Sequence, residues 1–150
     1  MKRIVFIVPK DMFSNAEIKQ LEAGFKEIYS SNYSQEKVSV FWMLMPKGYA
    51  YAERKPSKAA IILAEVNEDI QREKREELMG LFSQFLMNNF NISPLDAVIT
   101  VANSSFVSQF SDAQQNRIDK RYRPWIKLKM MSTALTSKLM NGYLKLRVKV

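Results

Sequence analysis

The segment from Arg3 to Gly48 opens with the apolar run Ile4-Val5-Phe6-Ile7-Val8 and closes with a second run, Val38-Ser39-Val40-Phe41-Trp42-Met43-Leu44. Each run has the length and composition of a β-strand. Pro9 follows the first run directly, and proline suits a strand end because it has no amide hydrogen for the ladder. The second run hardly alternates between polar and apolar residues, so we expect both of its faces to be covered.

The residues between the two runs have the pattern of an amphipathic helix. Ser14 and Glu17 have the Ser-x-x-Glu spacing of a capping box, so we expect the helix to begin there. Ile18, Leu21 and Phe25 then recur on one helical face, with charged residues opposite them. The segment therefore predicts a strand, a helix and a second strand.

The same order recurs further along the chain. A third apolar run at 59–64 is followed by a helical pattern over 69–89, which Asn67 could cap, and by a fourth apolar run at 97–101. The residues between the two units, 49–57, have the composition of a linker. A shift that superposes Ile4 on Ile61 also aligns three apolar positions of the helices: Leu21 with Leu78, Phe25 with Phe82 and Ile28 with Phe85. This agreement indicates a duplicated β-α-β unit.

Composition excludes several classes of site. The chain has 150 residues with neither cysteine nor histidine, which rules out a disulfide, a thiolate nucleophile, a His-dependent triad and a zinc site of the usual type. We predict no metal and no cofactor. The first apolar run is too short for a signal peptide, and no stretch approaches the length of a transmembrane helix. The expected location is the cytoplasm, with no membrane partner.

The positive charge is concentrated in the C-terminal quarter. The net charge is +8, yet residues 1–116 hold 13 Lys+Arg against 14 Asp+Glu, whereas residues 117–150 hold 10 against 1. The carboxylates Glu65, Glu68 and Asp69 could hold a hard cation, but acidic residues at a helix start are also explained by the helix dipole.

Residues 111–150 form a third section beyond the repeat. Ser111 and Gln114 have the spacing of another capping box, which predicts a short polar helix. From Trp125 onward the pattern is compatible with a strand, because Ile126, Leu128 and Met130 alternate with lysines, and also with a helix. We favour a helix from about Lys127 to Met140, and Gly142 suits its end. The last residues alternate apolar and basic side chains, which is typical of a half-exposed edge strand.

These patterns predict an α+β fold. Its core, residues 1–110, contains duplicated β-α-β units at about 1–57 and 58–110, which form a four-stranded mixed sheet with two helices on one face. Residues 111–150 add a basic extension, with a C-terminal helix and strand, that packs on this core or on a neighbouring subunit.

The second unit resembles a known family. Glu73 to Met79 and Asn91 to Val101 resemble the helix, Pro-Leu turn and second strand of a 4-oxalocrotonate tautomerase subunit. Val8 to Ser14 looks like the first strand end and helix start of the same superfamily, whose longer members are two fused units. The resemblance implies a homotrimer whose base is an N-terminal proline, exposed when the initiator methionine is removed.

The catalytic residues of that family do not carry over. The chain begins Met1-Lys2, and Lys2 should leave Met1 in place. The family commonly has an arginine at the positions that Met12 and the Val66-Asn67 pair occupy here. An arginine in the second strand of its short members would fall near Ile99. We therefore expect a tautomerase-like protein without the usual proline-dependent activity, and whether it is an enzyme stays open.

A small acidic ligand is one expected partner. Lys2, Arg54 and Lys55 are its candidate contacts, because Arg54 and Lys55 lie in the linker beside Tyr49 and Tyr51 and could form an anion pocket. The alternative for the two linker residues is that they are solvated charges in an exposed loop.

A second hypothesis belongs to another class. The order βαββαβ also describes a ferredoxin-like sheet, which many RNA-binding domains use. Strand pairing should separate the two: the first strand pairs in parallel with the second in the tautomerase arrangement and antiparallel with the third in the ferredoxin-like one. The tail, residues 117–150, then becomes a nucleic-acid surface or protein contact, because basic and aromatic residues cluster there: Arg117, Lys120, Arg121, Tyr122, Arg123, Trp125, Lys127 and Lys129. The alternative is that these cations border an acidic face of a neighbouring subunit or keep the protein soluble.

Overall fold

The computed structural model describes residues 1–46, 51–52, 55–56 and 59–147, with the backbone alone at residues 51, 52, 55, 56, 110, 114, 115 and 147. The elements follow the chain in this order: β1 (Lys2–Pro9), α1 (Asn15–Asn32), β2 (Val38–Met45), β3 (Tyr51–Ala52), β4 (Lys55–Pro56), β5 (Ala60–Val66), α2 (Arg72–Phe90), a 3₁₀ turn (Pro94–Asp96), β6 (Ala97–Asn103), α3 (Ser104–Asn116), α4 (Arg123–Asn141) and β7 (Leu144–Arg147).

Strand pairing confirms the duplicated β-α-β architecture. The main sheet has the order β6-β5-β1-β2-β7, with β1 parallel to β2, β5 parallel to β6, and β1 antiparallel to β5. The parallel β1–β2 pair is the one predicted for the tautomerase arrangement. The antiparallel β1–β5 pair was expected of the ferredoxin-like sheet, yet it is present here as well and does not discriminate. In the split β-α-β of a ferredoxin-like sheet another strand separates the first two, so the adjacency of β1 and β2 decides.

The sheet has five strands rather than the predicted four. β7 pairs in parallel with β2, with Phe41 opposite Leu144 and Met43 opposite Leu146. The predicted edge position of this strand is confirmed, because β7 ends the strand order. The predicted linker also differs, since β3 and β4 form a short antiparallel pair.

The capping box at the start of α1 is confirmed. The Glu17 amide donates to the Ser14 hydroxyl over 3.3 Å, and the Ser14 amide donates to the Glu17 carboxylate over 2.7 Å. The predicted cap of α2 is wrong, because α2 begins after Gln71 and Asn67 lies ahead of it. The Asn67 amide instead donates to the Tyr33 hydroxyl over 2.6 Å.

Aromatic rings form the centre of the core between the sheet and α1 and α2. Phe6 on β1 stacks on Trp42 of β2 with ring centroids 4.3 Å apart. Phe25 on α1 meets Phe6 edge to face at 4.9 Å and stacks on Phe82 of α2 at 4.3 Å. The buried Trp42 indole donates to Glu22 over 3.0 Å, so its polar group is satisfied.

The duplication is offset by one residue between helices and strands. The shift that aligns Phe25 with Phe82 places the buried Ile4 on Ile61, which is 40% exposed. The residue of β5 that faces the core is Ile62. Because successive strand residues point to opposite faces, the superposition is right for the helices and wrong by one residue for the strands.

The sheet face opposite α1 and α2 is also apolar. Burial along β1 alternates, and its less buried residues point to this second face. Val98 is 55% exposed there and Ile61 is 40% exposed. We expected both faces of β2 to be covered, but α1 and α2 cover only one of them, and Phe41 and Met43 on the other face are only partly buried in the single chain. Sheet register places one apolar set on this face: Val5, Ile7, Phe41, Met43, Ile61, Leu63 and Val98.

The C-terminal helices begin earlier than predicted. α3 starts at Ser104, so Ser111 lies inside the helix and not at its start. α4 starts at Arg123 instead of about Lys127, and Pro124 occupies its first turn, where proline is favoured because no helical partner is lost. α4 ends at Asn141 with Gly142 in the left-handed conformation, as expected of Gly142. The predicted domain boundary near residue 110 falls within α3.

Candidate functional site at the start of the first strand

Four elements bring charged and hydroxyl side chains together at one edge of the sheet. β5 and β6 are parallel, so their carboxyl ends meet there, and β1 begins beside them because it runs antiparallel to β5. α3 starts at the same place, directly after β6. We call this group the β1-start cluster, and its members are Lys2, Arg3, Glu65, Glu68, Ser104 and Ser105.

Lys2 is the buried cation of the cluster. Its side chain points to the helix-covered face, like the core residues of β1, and the residue is 8% exposed. The Lys2 ammonium donates to the Ser104 hydroxyl over 2.8 Å. Its backbone nitrogen is an amide that donates to the Lys37 carbonyl over 3.0 Å. The predicted candidate Lys2 is thus held at the start of β1 by both its backbone and its side chain.

Arg3 and Glu65 form an ion pair across the sheet. The Arg3 Nε donates to the Glu65 carboxylate over 2.6 Å, and the Glu65 side chain is 7% exposed. Burial alone would raise the pKa of Glu65, but the hydrogen bond from Arg3 and the charges of Arg3 and Lys2 outweigh it and hold the pKa below its ordinary value. Glu65 is therefore a carboxylate at neutral pH.

Glu68 caps α3 rather than α2. Its two carboxylate oxygens accept from the Ser105 amide at 2.6 Å and from the Ser105 hydroxyl at 2.8 Å. These two hydrogen bonds lower the pKa of Glu68, and the bond from the Ser105 amide has the larger effect. A carboxylate at a helix start was the expected arrangement, but the helix is a different one. The contact also explains why α3 begins at Ser104, upstream of the predicted capping box.

Replacing Arg3 by methionine should destabilise the fold in a pH-dependent way. Glu65 would stay buried without its partner, so we expect unfolding to cost about 1–3 kcal/mol less near pH 7. In the native chain the lowered pKa of Glu65 stabilises the fold above the ordinary value of 4.5, and this contribution is lost as the pH falls through the lowered pKa. The deficit of Arg3→Met should therefore shrink as the pH falls and Glu65 becomes protonated. Urea unfolding at several pH values measures it.

Glu65→Gln in the Arg3→Met background is the matched control. This double variant has no carboxylate at position 65, so its stability relative to Glu65→Gln alone should not vary over the same pH range. A deficit that persists at low pH, or that survives in the double variant, would assign the effect to lost packing of the Arg3 side chain.

The other two predicted ligand contacts are not placed beside Lys2 by the structure. Arg54 lies outside the described residues. Lys55 belongs to β4, where the backbone alone is described. Their part in an anion pocket stays a prediction.

The predicted tail residues lie on the turn between α3 and α4 and on the first turns of α4. Tyr122 and Trp125 are each 61% exposed, and Lys129 lies 4.8 Å above the Trp125 ring. Arg123 is only partly exposed, and its Nε donates to the Ile118 carbonyl over 3.0 Å. The remaining five are exposed: Arg117, Lys120, Arg121, Lys127 and Lys129. Binding of nucleic acid by this group stays a prediction.

Sequence interpretation missed Arg3, Ser104 and Ser105. A signal was present, because polar residues follow two apolar runs that were expected to be parallel neighbours, and the ends of such strands meet at one sheet edge. The pairing of Arg3 with Glu65 depends on which residue of β5 lies beside the start of β1, and that register is a property of the folded sheet.

The comparison with known proteins found similar folds among solved structures but no similar sequence. No family model and no curated protein matches the chain. Three solved structures are similar. The crystal structure of native Ps01740 has 15% sequence identity and a TM-score of 0.63, and the match covers 69% of this chain and 96% of the other. The crystal structure of Pt0534 inactivated by 2-oxo-3-pentynoate has 15% identity and a TM-score of 0.58, and a fused 4-OT described as a wild-type symmetric trimer has 10% identity and a TM-score of 0.56; each of these two matches covers 67% of this chain and 84% of the other.

About a third of this chain lies outside each of these matches. The matched structures belong to the tautomerase superfamily, and they share the parallel β-α-β repeat that the strand pairing establishes here. Identities this low carry the fold and nothing more. The chain therefore has a tautomerase-like fold.

Proposed function

We propose that this chain is a tautomerase-fold protein that binds a small carboxylate ligand at Lys2, as a homotrimer, without proline-dependent tautomerase chemistry. The observation that carries the proposal is the state of the two nitrogens of Lys2. The backbone nitrogen is an amide engaged in the sheet, and the side-chain nitrogen is a buried ammonium bonded to a hydroxyl. The cytoplasm stays the predicted location.

The backbone nitrogen argues against the usual base. A proline at the start of β1 would act through the lone pair of a free secondary amine, which takes a proton from the substrate. The nitrogen of Lys2 is a peptide amide that donates its hydrogen to Lys37, so it has no basic lone pair to offer.

The side-chain nitrogen supports an anionic ligand. Arg3 is already neutralised by direct contact with Glu65, whereas the hydrogen-bond partner of the Lys2 ammonium is the neutral Ser104 hydroxyl. A ligand carboxylate that replaces this hydroxyl would gain a charge-assisted hydrogen bond in a largely buried place. Glu65 and Glu68 interact electrostatically with Lys2. Because these carboxylates would repel a ligand with two negative charges more strongly, we expect a ligand with one.

The second sheet face supports self-association. Its apolar residues on β1, β2, β5 and β6 are the side that α1 and α2 leave uncovered, and Val98 and Ile61 are substantially exposed. A contiguous apolar face of this kind is typical of a protein interface. Because the similar fused 4-OT is described as a trimer, we propose three copies of this 17.4 kDa chain.

Incubation with 2-oxo-3-pentynoate tests both parts of the proposal. We expect a reversible complex by isothermal titration calorimetry and no adduct on residues 1 or 2 by peptide mass mapping, because neither backbone nitrogen there is an activated proline amine. Lys2→Met should abolish the reversible binding. Lys10→Met, which removes an exposed lysine at the other end of β1, should leave it unchanged.

Two outcomes would contradict the proposal. An adduct on residue 1 or 2, with enolisation of a 2-oxo acid followed by ultraviolet absorbance, would show amine-dependent chemistry at this position. Equal binding by the native chain and Lys2→Met would place the ligand elsewhere. Light scattering tests the assembly separately, and a mass of one chain would exclude the trimer.

A further inference from the structure

α4 presents an apolar face to solvent. Trp125, Leu128, Leu135 and Leu139 recur at helical spacing and are 61%, 67%, 56% and 88% exposed. The side chains of α4 that the fold buries, Ala134 and Ser137, lie on the opposite side of the helix. The exposed residues are therefore a continuous stripe rather than scattered surface leucines, which we call the outward face of α4.

Lysines flank this stripe on both sides. At 100° per residue, Lys127 and Lys138 fall along one border and Lys129 along the other. α4 contains four cations and no carboxylate. Trp125 lies near the start of the helix, with the Lys129 ammonium 4.8 Å from its ring. An aliphatic centre bordered by cations is the arrangement of a basic amphipathic helix.

The fold itself gives this face no partner among the described residues. α4 packs chiefly against β7, through small residues and through the Ser137 hydroxyl, which donates to the Tyr143 carbonyl over 3.0 Å. The helix is thus attached along one side and leaves its larger apolar side chains in water.

We propose that the outward face of α4 docks on the surface of an anionic phospholipid bilayer. The leucines would enter the boundary between headgroups and acyl chains, and the lysines would extend to the lipid phosphates along their aliphatic stems. Trp125 suits the same depth, because indole combines an apolar body with one hydrogen-bond donor. The charge of the helix favours an anionic bilayer, because every charged side chain of α4 is a cation.

Two other occupants fit less well. A nucleic acid would gain from cations and stacking aromatics at the centre of the surface, whereas here leucines occupy the centre and the cations lie at its borders. Packing of α4 on α4 of a second copy would bring lysines together at close range, which costs free energy. The apolar second face of the sheet offers copies of the chain a better surface.

This docking differs from crossing a membrane. None of the helices in the described ranges is long and apolar enough to span a bilayer. The sequence expectation of no membrane partner depended on the lack of such a stretch, and that criterion does not detect a helix that lies in the interface. The proposal revises that expectation.

Co-sedimentation of the full chain with vesicles tests the proposal. We expect binding to vesicles of phosphatidylcholine mixed with phosphatidylglycerol, weaker binding at high salt, and little binding to phosphatidylcholine alone. Each of Lys127→Ala and Lys129→Ala should weaken the affinity about fivefold. Leu135→Ser and Leu139→Ser should each weaken the affinity roughly tenfold. Both leucines are exposed, so neither substitution should unfold the protein.

Fluorescence gives a second readout from the same face. The chain has two tryptophans, and Trp42 is fully buried while Trp125 is exposed. Emission should therefore move to shorter wavelength on adding anionic vesicles, through Trp125, and Trp125→Phe should remove this shift. Leu95→Ser is the matched control for the leucines, because Leu95 is 86% exposed but lies in the 3₁₀ turn, outside the tail.

Three results would overturn the proposal. Equal binding to neutral and anionic vesicles would remove the role of charge. Absence of vesicle binding together with salt-dependent binding of single-stranded RNA would assign the tail to nucleic acid. Absence of vesicle binding together with a lower molecular mass for Leu135→Ser by light scattering would show that a second copy covers the face.

Discussion

Replacing Phe25 by alanine should lower the free energy of unfolding by about 3–5 kcal/mol. Phe25 is fully buried, and its ring contacts both the sheet and α2: Phe6 edge to face at 4.9 Å and Phe82 by stacking at 4.3 Å. Alanine would remove the transfer free energy of the ring and leave a cavity that the two stiff neighbouring rings cannot fill. Urea unfolding at one fixed protein concentration measures the change.

Phe106→Ala is the matched control for this substitution. Phe106 lies on α3 and is 59% exposed, so removal of its ring should change the stability by no more than about 0.5 kcal/mol. If the two variants were equally stable, Phe25 could not be the contact that joins α1, α2 and the sheet.

Gly24→Ala should cost about 1–3 kcal/mol, in spite of the better helix propensity of alanine. A Cβ at position 24 would overlap the Phe85 ring, because three atoms of that ring lie within 2.7 Å of it. The Phe85 ring is itself packed against Phe25 at 5.9 Å and Phe90 at 5.8 Å, so it cannot withdraw without disturbing other rings. The glycine therefore sets how closely α1 and α2 approach. Thermal and urea unfolding report the loss.

Gly80→Ala should have the opposite sign. Gly80 lies within α2, and a Cβ there would meet no atom within 4 Å. Alanine then contributes only its helix propensity, which should stabilise the chain by up to about 1 kcal/mol. Two glycine-to-alanine changes in neighbouring helices thus separate propensity from packing. A gain for both would mean that the helices are further apart than the structure has them.

Local patterns were enough to predict the repeat. The capping box of Ser14 and Glu17 and the apolar face around Leu21 and Phe25 depend on residues within a few positions of each other, and the structure confirms them. The failures involve contacts between distant residues. α3 begins at Ser104 because Glu68, 37 residues earlier, accepts from the Ser105 amide, and no local pattern contains that contact.

The candidate site was predictable only in part. Lys2 was identified from its place at the start of the chain, and the structure shows it buried against Ser104, 102 residues away. The partner of Arg3 depends on the antiparallel register of β1 and β5, and a slip of one residue would turn Glu65 to the other face. Composition shows how many charges a chain has, but the pairing of those charges depends on the register of the strands.

The position of β7 has a consequence for how this chain is made. β7 follows all the other described strands along the chain, yet it pairs with β2, which ends about a hundred residues earlier. Until Leu144 leaves the ribosome, the outer edge of β2 has unpaired backbone groups beside the apolar side chains of Phe41 and Met43. An edge of this kind can recruit strands from other chains. β7 therefore replaces β2 at the edge of the sheet with a shorter strand that carries basic residues, and such an edge is less prone to recruit other chains.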